Sequence, residues 1–444
     1  MPRQIIIVLL FLWCSFNWAQ SQLVFSKKAS AKIRFEWNAN LIIIPVSIQG
    51  VELRFLVDTG VGHTLIFDTH KAQQLGLSQE RLYLLRGLGD QPALKAYQVT
   101  LDQLHLGSLY MTNITALVLP ESEFVLSKRL GTQIDGIIGY DLFEHYPVLI
   151  DYPRKLLVIN PLKKKRRWEK RNRETMDLSF YKRKPYVHLD IPSFESNKAS
   201  GYFLLDTGLS DALWLFSKEV EFYETPPVFE DFLGTGINGD VHGKRGKIPS
   251  MVFGKTHLNE IKVAYPDSTN FSQLSLKEKR LGSVGAELLS RFKLLFDYPN
   301  KQLMVQSTSK TTQPFYYNLS GIELAYEGFQ MVRQRLPTVE RQEETGNNGI
   351  EILLQDRYQL SFYPALMVTY VRPYSAADQS GIKVGDVLIQ INGKKVHQLN
   401  MEKVLSILQK EPGEKIRVTV RREGHLRKFT FRLTSLFSTI VPSP

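Results

Sequence analysis

The amino-acid sequence predicts a mainly β chain that folds as two similar lobes followed by a smaller α+β domain. The first 308 residues contain an internal repeat, and each copy is rich in apolar and β-branched runs of the kind that form strands. From about Ser309 the repeat stops, and short helical and hairpin patterns replace it. The composition, 43% hydrophobic and 23% charged, excludes disordered, collagen-like and coiled-coil chains.

The repeat is clearest where Phe55–Gly60 (FLVDTG) recurs as Phe203–Gly208 (FLLDTG), 148 residues later. Further landmarks follow in the same order at nearly the same spacing: Gly87–Gly89 with Gly234–Gly236, Leu104–Gly107 with Met251–Gly254, Ile137–Gly139 with Ser283–Gly285, and Leu149–Pro153 with Leu295–Pro299. A unit of about 130 residues is too large for a solenoid repeat. Each copy is therefore predicted to be a lobe with its own core.

Apolar runs predict the strands of each lobe. In the first copy they predict strands at 40–48, 97–106, 116–119 and 155–159, and in the second copy at 186–191. Short helices are expected at 68–75 and directly after Gly139 and Gly285. Each Asp-Thr-Gly triplet is expected to lie at the end of a strand.

The N-terminus predicts export. Arg3, the apolar run 5–16 and the small residue Ala19 are typical of a signal peptide over residues 1–19, so a periplasmic, envelope or extracellular location is expected. The alternative is a membrane anchor, but a spanning helix needs roughly 20 apolar residues and the run 5–16 is shorter than that. The only cysteine, Cys14, lies in this segment, where a lipoprotein signal is disfavoured by the bulky Trp13 before it.

The remaining chain divides into four predicted segments. These are an N-terminal lobe over 22–160, a basic linker over 161–175, a C-terminal lobe over 176–308 and the last domain over 309–436. Much of the net charge of +12 lies in the linker, which is expected to be solvated, with weak attraction to an anionic membrane surface as the alternative. Because export argues against a nucleic-acid partner, none is expected.

The two Asp-Thr-Gly triplets suggest chemistry. A single Asp-Thr-Gly is most simply a turn at a strand end. Two lobes related by a pseudo-twofold axis, however, bring equivalent residues together at the axis, so the carboxylates of Asp58 and Asp206 are expected to meet. Such a pair shares one proton, because like charges in contact cannot both ionise. The ionised carboxylate can then activate a water, and the protonated one can polarise a peptide carbonyl.

The residues after each aspartate fit this arrangement. Gly60 and Gly208 give the backbone freedom that a close approach of the two loops needs. Thr59 and Thr207 each supply a hydroxyl that can brace the opposite loop. The nine histidines show no metal-ligand spacing, and neither a metal nor a cofactor is expected.

The first 308 residues resemble the pepsin-like and retropepsin-like aspartic proteases. The resemblance rests on both triplets, on the segments that end at Gly139 and Gly285, and on residues 286–305. It implies a bilobal double β-barrel with those two segments beneath the catalytic loops. It also implies an endopeptidase that acts on peptide or protein substrates, as a monomer with both lobes in one chain.

The sequence departs from the pepsin-like pattern after the triplets. Val61 and Leu209 stand where pepsin-like enzymes carry Ser or Thr, which is more similar to the apolar residue of retroviral proteases. Ser283 replaces an expected apolar residue. His63 and Asp211 flank the loops, where each could tune the dyad, although both are most simply residues of surface turns.

The resemblance also places a flap over residues 84–95. Gly87 and Gly89 are its candidate residues, and Tyr83 and Tyr97 are the candidates for a flap tyrosine.

The last domain shows a different pattern. A short helix beginning at Ser375–Ala377 with a cap at Gly381, a strand at 387–391, an Asn392-Gly393 turn, an amphipathic helix at 401–409 and strands at 416–421 and 428–433 are predicted. With Gly385-Asp386, this pattern resembles PDZ domains attached to bacterial proteases. The resemblance implies that an extended peptide binds as an added strand, with its C-terminal carboxylate held by a backbone loop.

The carboxylate-binding loop has two candidates in the sequence. The first is Ser320, Gly321, Ile322, Glu323 and Leu324, and the second is Asn348–Ile352. Residues 326–360 are expected to be an insertion. The whole chain is thus expected to be an exported aspartic endopeptidase whose PDZ domain docks protein C-termini. The alternatives are a catalytically inactive peptide-binding scaffold of the cell envelope and a structural envelope protein, and the intact second triplet favours the enzyme.

Overall fold

The computed structural model describes residues 22–25, 30–119, 126–159, 174–191, 199–216, 228–271, 276–335, 341–345, 349–353 and 358–435. The predicted signal peptide and nearly all of the predicted basic linker lie outside these residues. Within the described chain, no helix combines the length and apolar character that crossing a membrane requires.

The first lobe is built on a sheet in which one strand leads directly into the first Asp-Thr-Gly triplet. Its strands in the described chain are β1 (Gln22–Phe25), β2 (Ala31–Arg34), β3 (Glu36–Asn38), β4 (Leu41–Ile48), β5 (Val51–Val57), β6 (Thr64–Phe67), β7 (Arg81–Leu85), β8 (Leu94–Leu106), β9 (Leu109–Leu119), β10 (Gly136–Ile138), β11 (Val148–Asp151) and β12 (Leu156–Ile159). Its helices there are α1 (Thr69–Gln74), α2 (Leu126–Leu130) and α3 (Tyr140–Phe143). The predicted strands and the short helix after Gly139 are confirmed, with Asp68 capping α1.

The second lobe repeats this plan. Its described strands are β13 (Glu174–Asp177), β14 (Ser179–Tyr181), β15 (Lys184–Ile191), β16 (Ala199–Asp206), β17 (Leu213–Leu215), β18 (Phe229–Gly236), β19 (Gly239–Phe253), β20 (Thr256–Pro266), β21 (Arg280–Gly285), β22 (Phe292–Asp297) and β23 (Gln302–Ser307), and its helix is α4 (Ala286–Leu289). Strand β21 runs parallel to β16, as β10 runs parallel to β5. The predicted helix after Gly285 is therefore also confirmed.

A six-stranded sheet joins the lobes, in the order β13-β23-β22-β11-β12-β2 among the described strands. At its centre β11 pairs antiparallel with β22, and Leu149 lies opposite Leu295, its equivalent in the sequence repeat. Pairing of equivalent residues in opposite directions is what a twofold axis produces. One apolar core runs through both lobes, from Val57 through Ile150 to Leu205.

The C-terminal domain has its own core, which includes Ile322, Val368 and Val404. Its described strands are β24 (Ile322–Arg335), β25 (Arg341–Thr345), β26 (Gly349–Leu353), β27 (Tyr358–Val371), β28 (Val387–Ile391), β29 (Lys394–Lys395), β30 (Lys415–Arg422) and β31 (His425–Arg432), and its helices are α5 (Ala376–Ser380) and α6 (Met401–Leu408). β24 is an edge strand of the sheet β24-β27-β28-β30-β31. The predicted insertion, 326–360, contains residues 326–335 of β24, the first three residues of β27 and the β25–β26 hairpin.

Local signals placed most elements of this domain correctly. Ser375 caps α5 through the amide of Asp378, and Gly381 ends the helix in the left-handed conformation. One boundary was wrong, because β31 begins at His425 rather than at residue 428. The cause is a tight two-residue turn at Glu423 and Gly424, with φ of 50° and 81°, which lets the hairpin pair close to its end.

Candidate active site

The two Asp-Thr-Gly triplets meet at the axis between the lobes. Asp58 directly follows β5, and Asp206 is the last residue of β16. Each carboxylate is held by its own loop, since the amide of Gly60 donates to Asp58 Oδ1 at 2.7 Å and the amide of Gly208 donates to Asp206 Oδ1 at 3.0 Å. The two carboxylates share a hydrogen bond with each other.

The threonines lock the two loops together. The hydroxyl of Thr59 donates to the carbonyl of Leu205 at 2.6 Å and accepts from the amide of Thr207 at 3.0 Å. The hydroxyl of Thr207 does the same in reverse, to the carbonyl of Val57 at 2.9 Å and from the amide of Thr59 at 3.0 Å. Both threonines are 0% exposed. The dyad is thus fixed by four buried hydrogen bonds, each of which crosses from one lobe to the other.

The glycines are required by the close approach of the loops. A Cβ on Gly60 would lie 2.8 Å from the carboxyl carbon of Asp206, and a Cβ on Gly208 would overlap the carboxylate of Asp58. A side chain at either position would push the opposite carboxylate out of the pair.

The two supporting segments lie against the catalytic loops. The amide of Asp58 donates to the carbonyl of Ile138 at 3.0 Å, and a Cβ on Gly139 would overlap the backbone of Val61. In the second lobe the amide of Gly285 donates to the carbonyl of Ala212 at 2.9 Å, and a Cβ there would overlap the Asp211 carbonyl. Both glycines therefore allow a strand to pass directly beneath a loop.

The surroundings make the two carboxylates unequal. Burial, and next the negative charge of Asp206, raise the pKa of Asp58 well above its usual range. Burial also raises the pKa of Asp206, but Lys184 opposes this most strongly, followed by the hydrogen bond from Asp58 and by Arg280. The shared proton therefore belongs on Asp58, and the ionised form belongs on Asp206.

Sequence reasoning missed both cations. Lys184 is the first residue of β15, and Arg280 is the first residue of β21. Arg280 Nη2 donates to Ser283 Oγ at 2.8 Å, which gives the unexpected serine a role. The available signal was the repeat itself, because Ser283 stands where the first copy has the apolar Ile137.

Two flaps meet at their tips. The first joins β7 and β8 and carries Gly87 and Gly89, and the second joins β18 and β19 at Ile237 and Asn238. The amide of Asn238 donates to the carbonyl of Leu88 at 3.0 Å, and its side-chain amide donates to the carbonyl of Pro92 at 2.5 Å. The Asn238 side-chain oxygen also accepts from the amide of Gly87.

The flap tips also exchange side chains. Leu88 of the first flap packs against an apolar cluster of the second lobe that includes Trp214, and Ile237 of the second flap packs against a cluster of the first lobe that includes Leu41. Tyr83 and Tyr97, the candidate flap tyrosines, lie on strands β7 and β8 rather than at the tip. The second flap was not predicted, although the match of Gly234–Gly236 to Gly87–Gly89 marked it.

The residues beside the triplets differ in exposure. Val61 packs against the first-lobe cluster and Leu209 against the second, and each lies three residues after a catalytic aspartate. His63 is exposed, as expected of a surface turn. The interpretation of Asp211 as a surface residue is wrong, because it is buried and accepts from Trp214 Nε1 at 2.8 Å and Arg245 Nη1 at 2.9 Å.

A buried ionic network joins the C-terminal domain to the second flap. Arg245 on β19 bonds both Asp211 and, at 2.9 Å, Asp231 on β18. Asp231 also lies 3.4 Å from Arg372 of the C-terminal domain. Burial, and next the charge of Asp231, raise the pKa of the nearby Glu323 to about 7.

The predicted carboxylate-binding loop lies at this interface. Ser320 is fully buried, and Gly321, with φ of 79°, precedes Ile322 at the start of β24. The Ser320 hydroxyl accepts from the amide of Ile322 at 3.2 Å, so this amide is already paired. Glu323 and Leu324 are paired with β27.

The same strand also contacts the first lobe. Tyr326 packs against Gly131, and Glu327 lies 3.8 Å from Lys128 of α2. The competing loop, Asn348–Ile352, lies in the β25–β26 hairpin, apart from Asn348, which is outside the described residues. Among the described residues no group of acidic, histidine or cysteine side chains could hold a metal ion.

Comparisons with known proteins agree with this architecture. Residues 44–142 match a family model described as aspartyl protease, and residues 367–422 match one described as PDZ domain. A comparison with curated proteins gives no match.

Solved structures give weak similarities. An aspartic proteinase from Irpex lacteus matches at 13% identity over 64% of this chain and 99% of its own, with a TM-score of 0.43. A retropepsin-like aspartic protease from Rickettsia conorii matches at 22% identity over 32% of this chain and 92% of its own, with a TM-score of 0.21.

Proposed function

We propose that this chain, which combines a retropepsin-like aspartyl protease domain with a PDZ domain, is an active aspartic endopeptidase. The observation that carries the proposal is the pair formed by Asp58 and Asp206, held by four buried hydrogen bonds between the lobes. A scaffold that does not catalyse gains nothing from two adjacent, half-buried carboxylates, because their repulsion destabilises the fold.

The unequal pKa values assign roles to the two carboxylates. Asp206, whose ionised form is favoured by Lys184 and Arg280, takes a proton from a water molecule. The water oxygen attacks the peptide carbonyl carbon, and Asp58 donates its proton to the carbonyl oxygen as the tetrahedral intermediate forms. When the intermediate collapses, the proton that Asp206 took from water passes to the leaving amine as the C–N bond breaks, and a hydroxyl of the intermediate returns a proton to Asp58.

The interlocked flaps suggest how substrate enters. Their tips are joined by the hydrogen bonds of Asn238, so they must separate before an extended peptide can reach the dyad. Closure over the peptide would then exclude bulk water from the reaction.

Export, docking of protein C-termini by the PDZ domain, and action as a monomer are parts of the same proposal. The intact flap and dyad in one chain support a monomer. A PDZ domain recognises peptides by adding a strand to a sheet edge, and β24 is an edge strand whose first residues pack at the interface with the protease lobes. A docked substrate would be held next to the second flap, because Arg372 and Asp231 connect the two.

Asp58→Asn and Asp206→Asn test the proposal. Each substitution keeps the size of the side chain but removes one acid–base group, and we expect a loss of roughly a thousandfold or more in the cleavage of a denatured protein library. Asp102→Asn, at an exposed position of β8, is the matched control and should cleave like the wild type. Circular dichroism should show that all three variants are folded.

Retention of more than about a tenth of the activity by either dyad variant would contradict a shared dyad. A wild type that cleaves nothing, yet binds peptides, would favour the scaffold alternative.

A further inference from the structure

The two faces that flank the dyad occupy equivalent places but differ in chemistry. In the first lobe the β4–β5 ladder ends where Ile43 pairs with Leu56, so Leu41 and Asp58 each lie two residues beyond its last pair. In the second lobe the β15–β16 ladder ends where Tyr186 pairs with Leu204, and Lys184 and Asp206 each lie two residues beyond it. The equivalent position at the end of the ladder is therefore apolar in one lobe and a lysine in the other.

The other residues of the two faces also differ, since they are apolar on the first lobe and mostly polar or charged on the second. On the first lobe an apolar cluster lies around the end of β5, and it includes Leu41, Ile43, Leu56, Leu65 and Ile137. On the second lobe the equivalent positions of Leu41, Ile43 and Ile137 hold Lys184, Tyr186 and Ser283.

Arg280 completes the second face and is built into it. Its guanidinium donates to Ser283 Oγ at 2.8 Å and to the Gly282 carbonyl at 3.2 Å, and it lies 4.9 Å from the ring centre of Phe216. It interacts electrostatically with Asp206. The serine that departs from the apolar pattern thus orients a cation toward the active site.

Lys184 is different, because its ammonium has no hydrogen bond or ion pair among the described residues. This partly buried ammonium interacts electrostatically with Arg280, Lys182 and the two catalytic carboxylates, and burial lowers its pKa. A dyad that shares one proton carries a single negative charge, whereas Lys184 and Arg280 carry two positive charges. Among the described residues the second face therefore holds one positive charge more than the dyad balances, and burying such a charge is costly.

We propose that the second-lobe face, through Lys184 and Arg280, binds an acidic side chain of the peptide substrate, while the first-lobe face binds an apolar side chain on the other side of the cleaved bond. The inference rests on the proposed peptidase function and adds its substrate class. Lysine and arginine form charge-assisted hydrogen bonds with carboxylates, and such bonds are the stronger kind. An extended peptide that crosses the axis presents side chains to both lobes in turn.

The test uses peptides that differ at one residue. Cleavage of a peptide library by the full mature chain, read by mass spectrometry, first gives the residues on each side of the cut. Fluorogenic peptides then carry leucine on one side and, on the other, glutamate, glutamine or cysteate, each in both orders. Cysteate stays ionised in acid, so it separates a preference for charge from the protonation state of glutamate. Each enzyme variant is measured at its own pH optimum, because Lys184 also faces the dyad.

The expected result is a preference for the acidic peptide over its glutamine counterpart, in one order only and mainly in KM, by about tenfold to a hundredfold. Lys184→Met should abolish the preference, and Lys184→Arg should keep it. Leu41→Met, at the equivalent position of the first lobe, is the matched control and should leave the ratio of acidic to glutamine peptide unchanged. A wild type without the preference, or a Lys184→Met variant that keeps it, would overturn the proposal.

A binding experiment separates this inference from the peptidase proposal. Two hydroxyethylene peptides, which cannot be cleaved and differ only in glutamate against glutamine, are titrated into the wild type and the Lys184→Met variant. If the wild type has no peptidase activity but binds the glutamate peptide more tightly, the function fails and the specificity stands. If it cleaves peptides but does not distinguish the two ligands, the specificity alone fails.

Discussion

Thr59→Val should destabilise the pair of lobes far more than an ordinary surface change. Valine has nearly the shape of threonine but lacks the hydroxyl that donates to the carbonyl of Leu205 and accepts from the amide of Thr207. The site is 0% exposed, so no water replaces these bonds. Two backbone groups of the opposite catalytic loop would lose their partners, and the apolar packing would be retained.

The size of the effect follows from the number of unpaired groups. Leaving a buried donor or acceptor unpaired costs about 1–3 kcal/mol, so the two together cost about 2–6 kcal/mol. This is a large part of the roughly 5–15 kcal/mol by which a typical protein is stable. For lobes of this size we expect the midpoint of thermal unfolding to fall by roughly 5–20 °C.

Calorimetry and tryptophan fluorescence would measure this shift, and the indole of Trp214 next to the second catalytic loop is a convenient reporter. Thr59→Ser keeps the hydroxyl and is the matched control, expected to lie close to the wild type. Thr207→Val should lose about as much as Thr59→Val, because its bonds are the equivalent set. A Thr59→Val protein that melts within about two degrees of the Thr59→Ser protein would refute the reasoning.

Three further predictions concern the dyad and the flaps. Burial raises the pKa of the Asp58 carboxyl, and Val61→Ser adds a hydroxyl near it that can lower that pKa again. A pH–rate profile should therefore show activity from mildly acidic to near-neutral pH in the wild type and a lower pH optimum in the variant. An unshifted optimum would contradict this. A carboxyl whose pKa is raised by folding stabilises the fold in acid, and this contribution is lost as the pH rises through its pKa in the folded state. The pKa of Asp58 is raised in this way, so Asp58→Asn should raise the melting temperature at neutral pH and not in acid. Asn238→Ala removes the side-chain bonds between the flap tips and should raise KM more than it changes kcat; an unchanged KM would show that the tips act through other contacts.

The sequence repeat predicted much of the fold for a physical reason. Residues that lie on a symmetry axis must occur in both copies, so Asp58 and Asp206, and the strands that pair at Leu149 and Leu295, stand out without any structure. Local signals such as caps and two-residue turns placed the elements of the C-terminal domain, because these signals depend on neighbours in the chain.

What the sequence did not reveal depends on distant residues. The contact of Asn238 with Leu88 links positions 150 residues apart, and no local pattern identifies it. The buried Asp211 looks like a turn residue until Arg245 is seen to pair with it from a neighbouring strand. In the same way, the connection of Arg372 to Asp231 arises only when the C-terminal domain packs against the second flap.

Catalysis requires some contacts to be the same in both lobes, but it leaves other side chains free to differ. The threonine bonds and the exchange of Leu88 and Ile237 between flaps are nearly the same in both copies, because each contact crosses the axis and depends on its mate. Leu41 and Lys184 take no part in the hydrogen bonds that join the lobes among the described residues, and they differ in charge. Two identical chains would be forced to carry the same residue at both positions. In a single chain with two lobes the substrate faces can diverge independently, so an apolar and a cationic face can flank one symmetric dyad.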